Sequence, residues 1–158
     1  MGLDGWLKTA HVLGAMLFVG NVIVTGIWSA ILFRARHTHD FRVAARAIIV
    51  TDWAFTVGGG ALLTTSGVWL AMHRGLPIWG TPWIRSAMIA LALSTALWLI
   101  VLVPAQRTMH AVRQPAAAYA GATDAILESA FMRWTVAGWL ATAPLVYAVW
   151  CMVTKPMG

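Results

Sequence analysis

Residues 83–104 read WIRSAMIALALSTALWLIVLVP, and Arg85 is the only charge in the stretch. Crossing the hydrocarbon core of a bilayer as a helix takes roughly 20 apolar residues, so this run has the length of one span. Three more of the same kind lie at 6–33, 48–72 and 131–153. The first stops at Arg34 and Arg36, the second at His73-Arg74-Gly75-Leu76-Pro77, and the fourth at Lys155-Pro156, each a basic or Gly/Pro stop signal. Only short connections remain. The longest, 106–130, has the composition for a short surface helix. The reading is all-α: one domain over 1–158, an integral membrane antiparallel four-helix bundle.

Composition excludes the main alternatives. Of 158 residues, 60% are hydrophobic and 10% charged, with ten Trp and a mean hydropathy of +0.76. A soluble domain keeps about a quarter of its residues charged, and this chain cannot cover such a surface. A net charge of +6 and a pI near 10.8 would suggest nucleic acid in a soluble protein. Here the cations sit in the short segments between apolar runs, where they act as topology signals, and no nucleic-acid partner is expected. Cys151 is the single cysteine, so no internal disulfide and no Cys-based metal motif can form. The first run lacks the basic start and small-residue cleavage site of a signal peptide and reads as a retained helix. No internal repeat is evident.

The Lys and Arg distribution sets an orientation. Arg34, Arg36, Arg42, Arg46, Arg107, Arg113 and Arg133 fall on one side, and Lys8, Arg74, Arg85 and Lys155 on the other. The positive-inside rule then places the arginine-rich connections in the cytoplasm and both termini in the periplasm of a bacterial inner membrane. Trp6, Trp79, Trp83 and Trp150 fall at the outer boundary, as an aromatic belt requires.

Polar groups at bilayer depth have no water to satisfy them, so they face the bundle interior and mark candidate sites. Four matter: His11, Asn21, Asp52 and Gln106. A carboxylate within a span costs roughly 2.5–3.5 kcal/mol on insertion scales. The expectation is therefore an ion pair between Asp52 and Arg107 or Arg133, which lie at the same boundary. The functional alternative is proton transfer, with Asp52 as the acid, Asn21 as a relay and His11 further out. Gly58, Gly59, Gly60, Thr64 and Gly67 form a small-residue face suited to close helix packing, or to a flat cofactor. Pro144 is expected to bend the fourth span.

Several motifs together resemble a known family. They are Leu7-Lys8-Thr9-Ala10-His11, Gly20-Asn21-Val22 with Trp28, Thr51-Asp52-Trp53-Ala54-Phe55, Ser66-Gly67, Trp98 with Val103-Pro104-Ala105-Gln106-Arg107, Arg133-Trp134 with Gly138, and the closing Met152-Val153-Thr154-Lys155-Pro156. The pattern resembles an uncharacterised bacterial family of four-helix integral membrane proteins. More distantly, the Leu-Lys-x-x-His opening, the four spans and the Lys-Pro ending are similar to HemJ-type protoporphyrinogen oxidases and to CopD-type copper-resistance membrane proteins. That likeness implies haem b on His11. The third span carries Ala96 where a HemJ-type protein has its histidine, so the second ligand is expected from His73, with Arg85 facing a propionate. A metal site would use the same His11 and His73. Copper is the rival, because Met1, Met72, Cys151, Met152 and Met157 fall in the outer half of the spans with these histidines, and soft sulfur with imidazole suits Cu(I).

Two functions stay open on the sequence: a small haem- or quinone-binding redox protein with its site near the outer face, or a non-catalytic partner or assembly subunit of a membrane complex. Copper handling is a third. The expected surroundings are the lipid bilayer, with a membrane-protein partner or a second copy possible.

Overall fold

A computed structural model describes residues 2–112 and 121–156. Four long helices account for nearly all of them: α1 (Leu3–Arg34), α2 (Phe41–His73), α3 (Pro82–Ala111) and α4 (Ala122–Thr154), and no strand occurs among the described residues. Each is long and apolar enough to cross a membrane.

Local chemistry sets the helix ends. Asp40 caps α2 by accepting the Arg42 N–H, and Pro82 opens α3 at a position where its missing N–H costs nothing. After α2, Gly75 turns left-handed (φ 65°). The Leu76 N–H then bonds the Ala71 carbonyl and the Gly75 N–H that of Met72, the paired bonds of a Schellman stop. Lys155, also left-handed, ends α4 before Pro156.

The helices outrun the apolar sequence runs at the arginine-rich end. α2 begins at Phe41 rather than near Ile48, α3 continues past Pro104 to Ala111, and α4 starts at Ala122 rather than near Phe131. These extensions are amphipathic. Phe41, Ala44, Ala45 and Ile48 recur at helical spacing and are buried, as are Leu127, Ala130, Phe131 and Trp134 on α4. With Leu102, Ala105 and Met109 they form one core cluster, against which Phe33 of α1 also packs. Phe33 stacks on Phe131 with centroids 3.9 Å apart, Phe41 meets both edge-on, and the Arg36 guanidinium covers the outer face of Phe33. Of the expected surface helix in 106–130, the flanks belong to α3 and α4, and 113–120 lie outside the described residues.

Towards the termini the helices separate into two pairs, α1 with α2 and α3 with α4. Glycines set the first crossing. A Cβ on Gly14 would lie 2.5 Å from the Leu63 nitrogen, and one on Gly59 would lie 3.0 Å from the Phe18 nitrogen. In the second pair, buried Ser94 donates across the helices to the Ala141 carbonyl, 2.8 Å away. Large apolar side chains such as Ile23, Ile27, Leu93, Leu140 and Val146 stay exposed along the outward faces. That arrangement suits lipid, whose tails are as apolar as leucine. Charge pairs tie the ends: Arg74 bonds both oxygens of Asp4, and Arg36 both oxygens of Asp124. The hydrogen bonds to Asp124 hold Arg36 above its ordinary pKa.

Candidate functional site

The polar centre lies where both middle helices widen. α2 makes a π-helical turn at Asp52–Val57 and α3 another at Trp98–Leu102. Such turns are rare and gather at functional sites. In α3 the wide turn comes just before Pro104, whose ring lacks an N–H and crowds the preceding carbonyls. Asp52 and Trp98 each open their turn, and they meet: the Trp98 indole N–H donates to Asp52 Oδ2 at 3.2 Å.

Three more donors complete the arrangement. Gln106 gives its amide N–H to the same Oδ2, and Oδ1 accepts from the Asn21 amide (3.0 Å) and the Thr56 hydroxyl (3.2 Å). The Thr56 oxygen accepts the second Asn21 N–H at 2.9 Å, and Thr25 donates to the Asn21 carbonyl oxygen at 3.0 Å. Asp52, Thr25, Thr56 and Gln106 are all buried. An ionised carboxylate is an acceptor with about four lone-pair positions, and here each oxygen takes two bonds. The knot joins α1, α2 and α3 without a cation.

This corrects the expected ion pair. Arg107 and Arg133 are both exposed, Arg133 bonds the Ser129 carbonyl, and neither reaches Asp52. Neutral donors can approach a carboxylate from inside the bundle, whereas an arginine at a span boundary lowers its own energy by reaching outwards to water or headgroups. Asn21, Asp52 and Gln106 do come together, as polar residues in spans should. Thr25, Thr56 and Trp98 were not anticipated. The two threonines sit one helical turn after Asn21 and Asp52, and that spacing was the available signal. Trp98 belongs to the motif that carries the family resemblance, but nothing in the sequence marks it as a partner of Asp52.

A cavity of about 310 Å³ opens between the helical pairs directly beyond the knot, at the low end of the usual range for ligand pockets. Thr56 and Trp98, both held by Asp52, form part of its wall, and Phe18, Val22, Leu91 and Leu145 make it mostly apolar. Its hydroxyls are largely committed. Ser94 donates to Ala141, Thr95 to Leu91 and Thr142 to Gly138, which leaves their oxygens as acceptors. Thr64, towards the termini, has no hydrogen-bond partner among the described residues, which leaves its hydroxyl to donate.

A family described as predicted integral membrane proteins, DUF2269, matches residues 5–156. The chain belongs to that family. No curated protein and no solved structure matches it. In this family member the histidine candidates lie apart from the polar knot. His11 precedes Asn21 by ten residues, about 15 Å of helix rise. Its Nδ1 donates to the Leu63 carbonyl at 2.8 Å, and the ring lies on Gly67, where a Cβ would come within 2.6 Å of Nδ1. That bond requires Nδ1 to carry the hydrogen and holds the ring against α2.

His73 does not share that face. It is six residues beyond Gly67 on α2, about 9 Å along the axis and two-thirds of a turn around it, and it is exposed. Arg85 is exposed too and donates to the Trp79 carbonyl at 3.3 Å. His11, His73 and Arg85 are therefore not arranged as a two-ligand haem site within the chain, and the cavity wall has no imidazole or sulfur to serve as an axial ligand. Of the sulfur candidates for copper, Cys151 is fully buried and Met1 and Met157 lie outside the described residues. Among the described residues no three or more His, Cys, Asp or Glu side chains cluster as metal ligands. Gly59 and Gly67 face α1, whereas Gly60 borders the cavity beside the Phe18 ring.

Proposed function

We propose that this protein binds a small lipid-soluble molecule of the quinone class inside the bilayer, in the cavity between its helical pairs. The supporting observation is the cavity itself: an apolar slot at membrane depth whose wall is held in place by a buried, fully bonded carboxylate. Its polar pattern suits a ring with an oxygen at each end. The free Thr64 hydroxyl can donate to a carbonyl, and the Ser94 and Thr142 oxygens can accept from a hydroxyl. Asp52 serves as a positioning residue, because its four acceptor positions are filled and it acts on the cavity through Thr56 and Trp98. The bilayer gives such a ligand its route in. The membrane we infer is a bacterial cytoplasmic membrane with the arginine-rich end inside, on the Lys and Arg distribution.

Gly138 supplies the test. It borders the cavity, and a Cβ built on it meets nothing within 4 Å. Gly138→Leu starts its side chain in open space beside the cavity and removes a helix-weakening glycine. Purified protein should bind a short-chain ubiquinone, read as quenching of tryptophan fluorescence, and Gly138→Leu should abolish that binding without loss of thermal stability. Equal binding by both proteins refutes the cavity reading. The rival, a non-catalytic assembly subunit, is favoured by the saturation of Asp52, which a purely structural knot would also show. It predicts no quinone binding by either protein.

A further inference from the structure

Arg133, which the Asp52 network does not use, lines a second and smaller cavity. It is a groove of about 110 Å³ between α3 and α4, lined by Ile100, Val101, Pro104, Ala105, Thr108 and Arg133. The wide turn of α3 and Pro104 shape one wall. Arg107, three residues after Pro104, lies on the same side of that helix by spacing. Ile100 is 73% exposed and Pro104 is exposed, so the groove opens towards lipid at the end of the span. Arg133 spends one N–H on the Ser129 carbonyl at 3.4 Å, and Arg107 has no hydrogen bond among the described residues. Arg133 in the groove and Arg107 on the same side of α3 keep most of their donors free, beside a lining that is polar at Thr108 and Arg133 and apolar at Ile100, Val101, Pro104 and Ala105.

We propose that this groove binds an anionic phospholipid, with the headgroup phosphate on Arg133 and Arg107 and the first carbons of an acyl chain against Ile100 and Pro104. Guanidinium forks match phosphate oxygens in pairs, and basic pockets between membrane helices hold acidic headgroups. Free phosphate shares the headgroup chemistry but has no chain to fill the apolar half of the groove. The site is separate from the quinone cavity and stands independently of it.

Native mass spectrometry of the detergent-solubilised full chain tests the assignment, with phosphatidylglycerol and phosphatidylcholine supplied in equal amounts. Phosphatidylglycerol should be retained in preference. Arg133→Gln and Arg107→Gln should each weaken retention about fivefold, the equivalent of about 1 kcal/mol per basic side chain at a membrane surface. Arg46→Gln, an exposed arginine at the same end and outside the groove, should leave retention unchanged. Both Gln variants remove exposed side chains, and unaltered melting temperatures would show that they fold. Retention unaffected by Arg133→Gln, or equal retention of the two lipids, overturns the proposal. Displacement of the lipid by millimolar inorganic phosphate also overturns it, in favour of a free-phosphate site.

Discussion

The contact between His11 and Gly67 allows a prediction whose sign changes with background. Gly67→Ala places a Cβ 2.6 Å from Nδ1 and 2.7 Å from Cε1 of the imidazole, well inside ordinary van der Waals distance. The ring must move, and α1 cannot retreat freely, because Gly14 and Leu63 touch one turn away. Overpacking of this kind costs about 1–3 kcal/mol. The displaced ring also gives up its bond to the Leu63 carbonyl, and interhelical hydrogen bonds in membranes average about 0.6 kcal/mol. Against this stands the higher helix propensity of alanine, at most about 1 kcal/mol. Gly67→Ala should therefore destabilise the wild-type protein by about 1–3 kcal/mol. In a His11→Ala background both penalties vanish and only propensity remains, so the same change should be neutral or stabilising by up to about 1 kcal/mol. Unfolding titrations in mixed micelles with a denaturing detergent measure all four proteins of the cycle. If Gly67→Ala costs the same in both backgrounds, the imidazole does not rest on Gly67 and the α1–α2 crossing described above is wrong.

Two further outcomes follow from the other features. Asp52→Ala strands four donors and should cost about 2–3 kcal/mol at the average value for hydrogen bonds in membranes, whereas Arg107→Gln and Arg133→Gln should each stay within about 0.5 kcal/mol of wild type; a comparable loss in an arginine variant would restore the ion pair. A reporter fused after Gly158 should read periplasmic, and a cytoplasmic readout would reverse the orientation inferred from Lys and Arg counts.

The spans were legible because lipid demands length and apolarity, and runs such as 83–104 supply both. The extensions of α2, α3 and α4 were not. At Phe41, Ala44, Ala45 and Ile48 the apolar residues form only one face, and Arg42 and Arg46 between them lower the average that marks a span. Asn21, Asp52 and Gln106 declared themselves by polarity at depth, but polarity does not name a partner. Charge reasoning selected arginine, whereas the bundle uses amides, a hydroxyl and an indole. Trp98 was hidden among ten tryptophans whose usual place is an interfacial belt. Its role depends on a wide turn in α3 that brings its N–H to Asp52. The histidines carried the haem reading, on a family likeness and a shared depth rather than on a ligand motif. Yet His11 turns one nitrogen to a backbone carbonyl, and His73 sits on another face of α2.

The structural and the ligand-binding readings meet at Asp52, and it is the wrong residue for telling them apart. Removing its carboxylate loosens three helices and at the same time frees Thr56 and Trp98 on the cavity wall, so any loss of binding would follow from either cause. Gly138 carries no such ambiguity. It takes no part in the Asp52 knot, and its helix α4 is held by the aromatic cluster at one end and by Ser94 on Ala141 further along. Filling the cavity from that side removes no hydrogen bond of the knot and leaves the glycine crossing of α1 and α2 as it is. Leucine there adds apolar contact of a kind worth up to about 0.8 kcal/mol per buried methylene, together with better helix propensity. The quinone reading rests on the open slot and the hydroxyls that line it, and Gly138 is the place from which that slot can be closed.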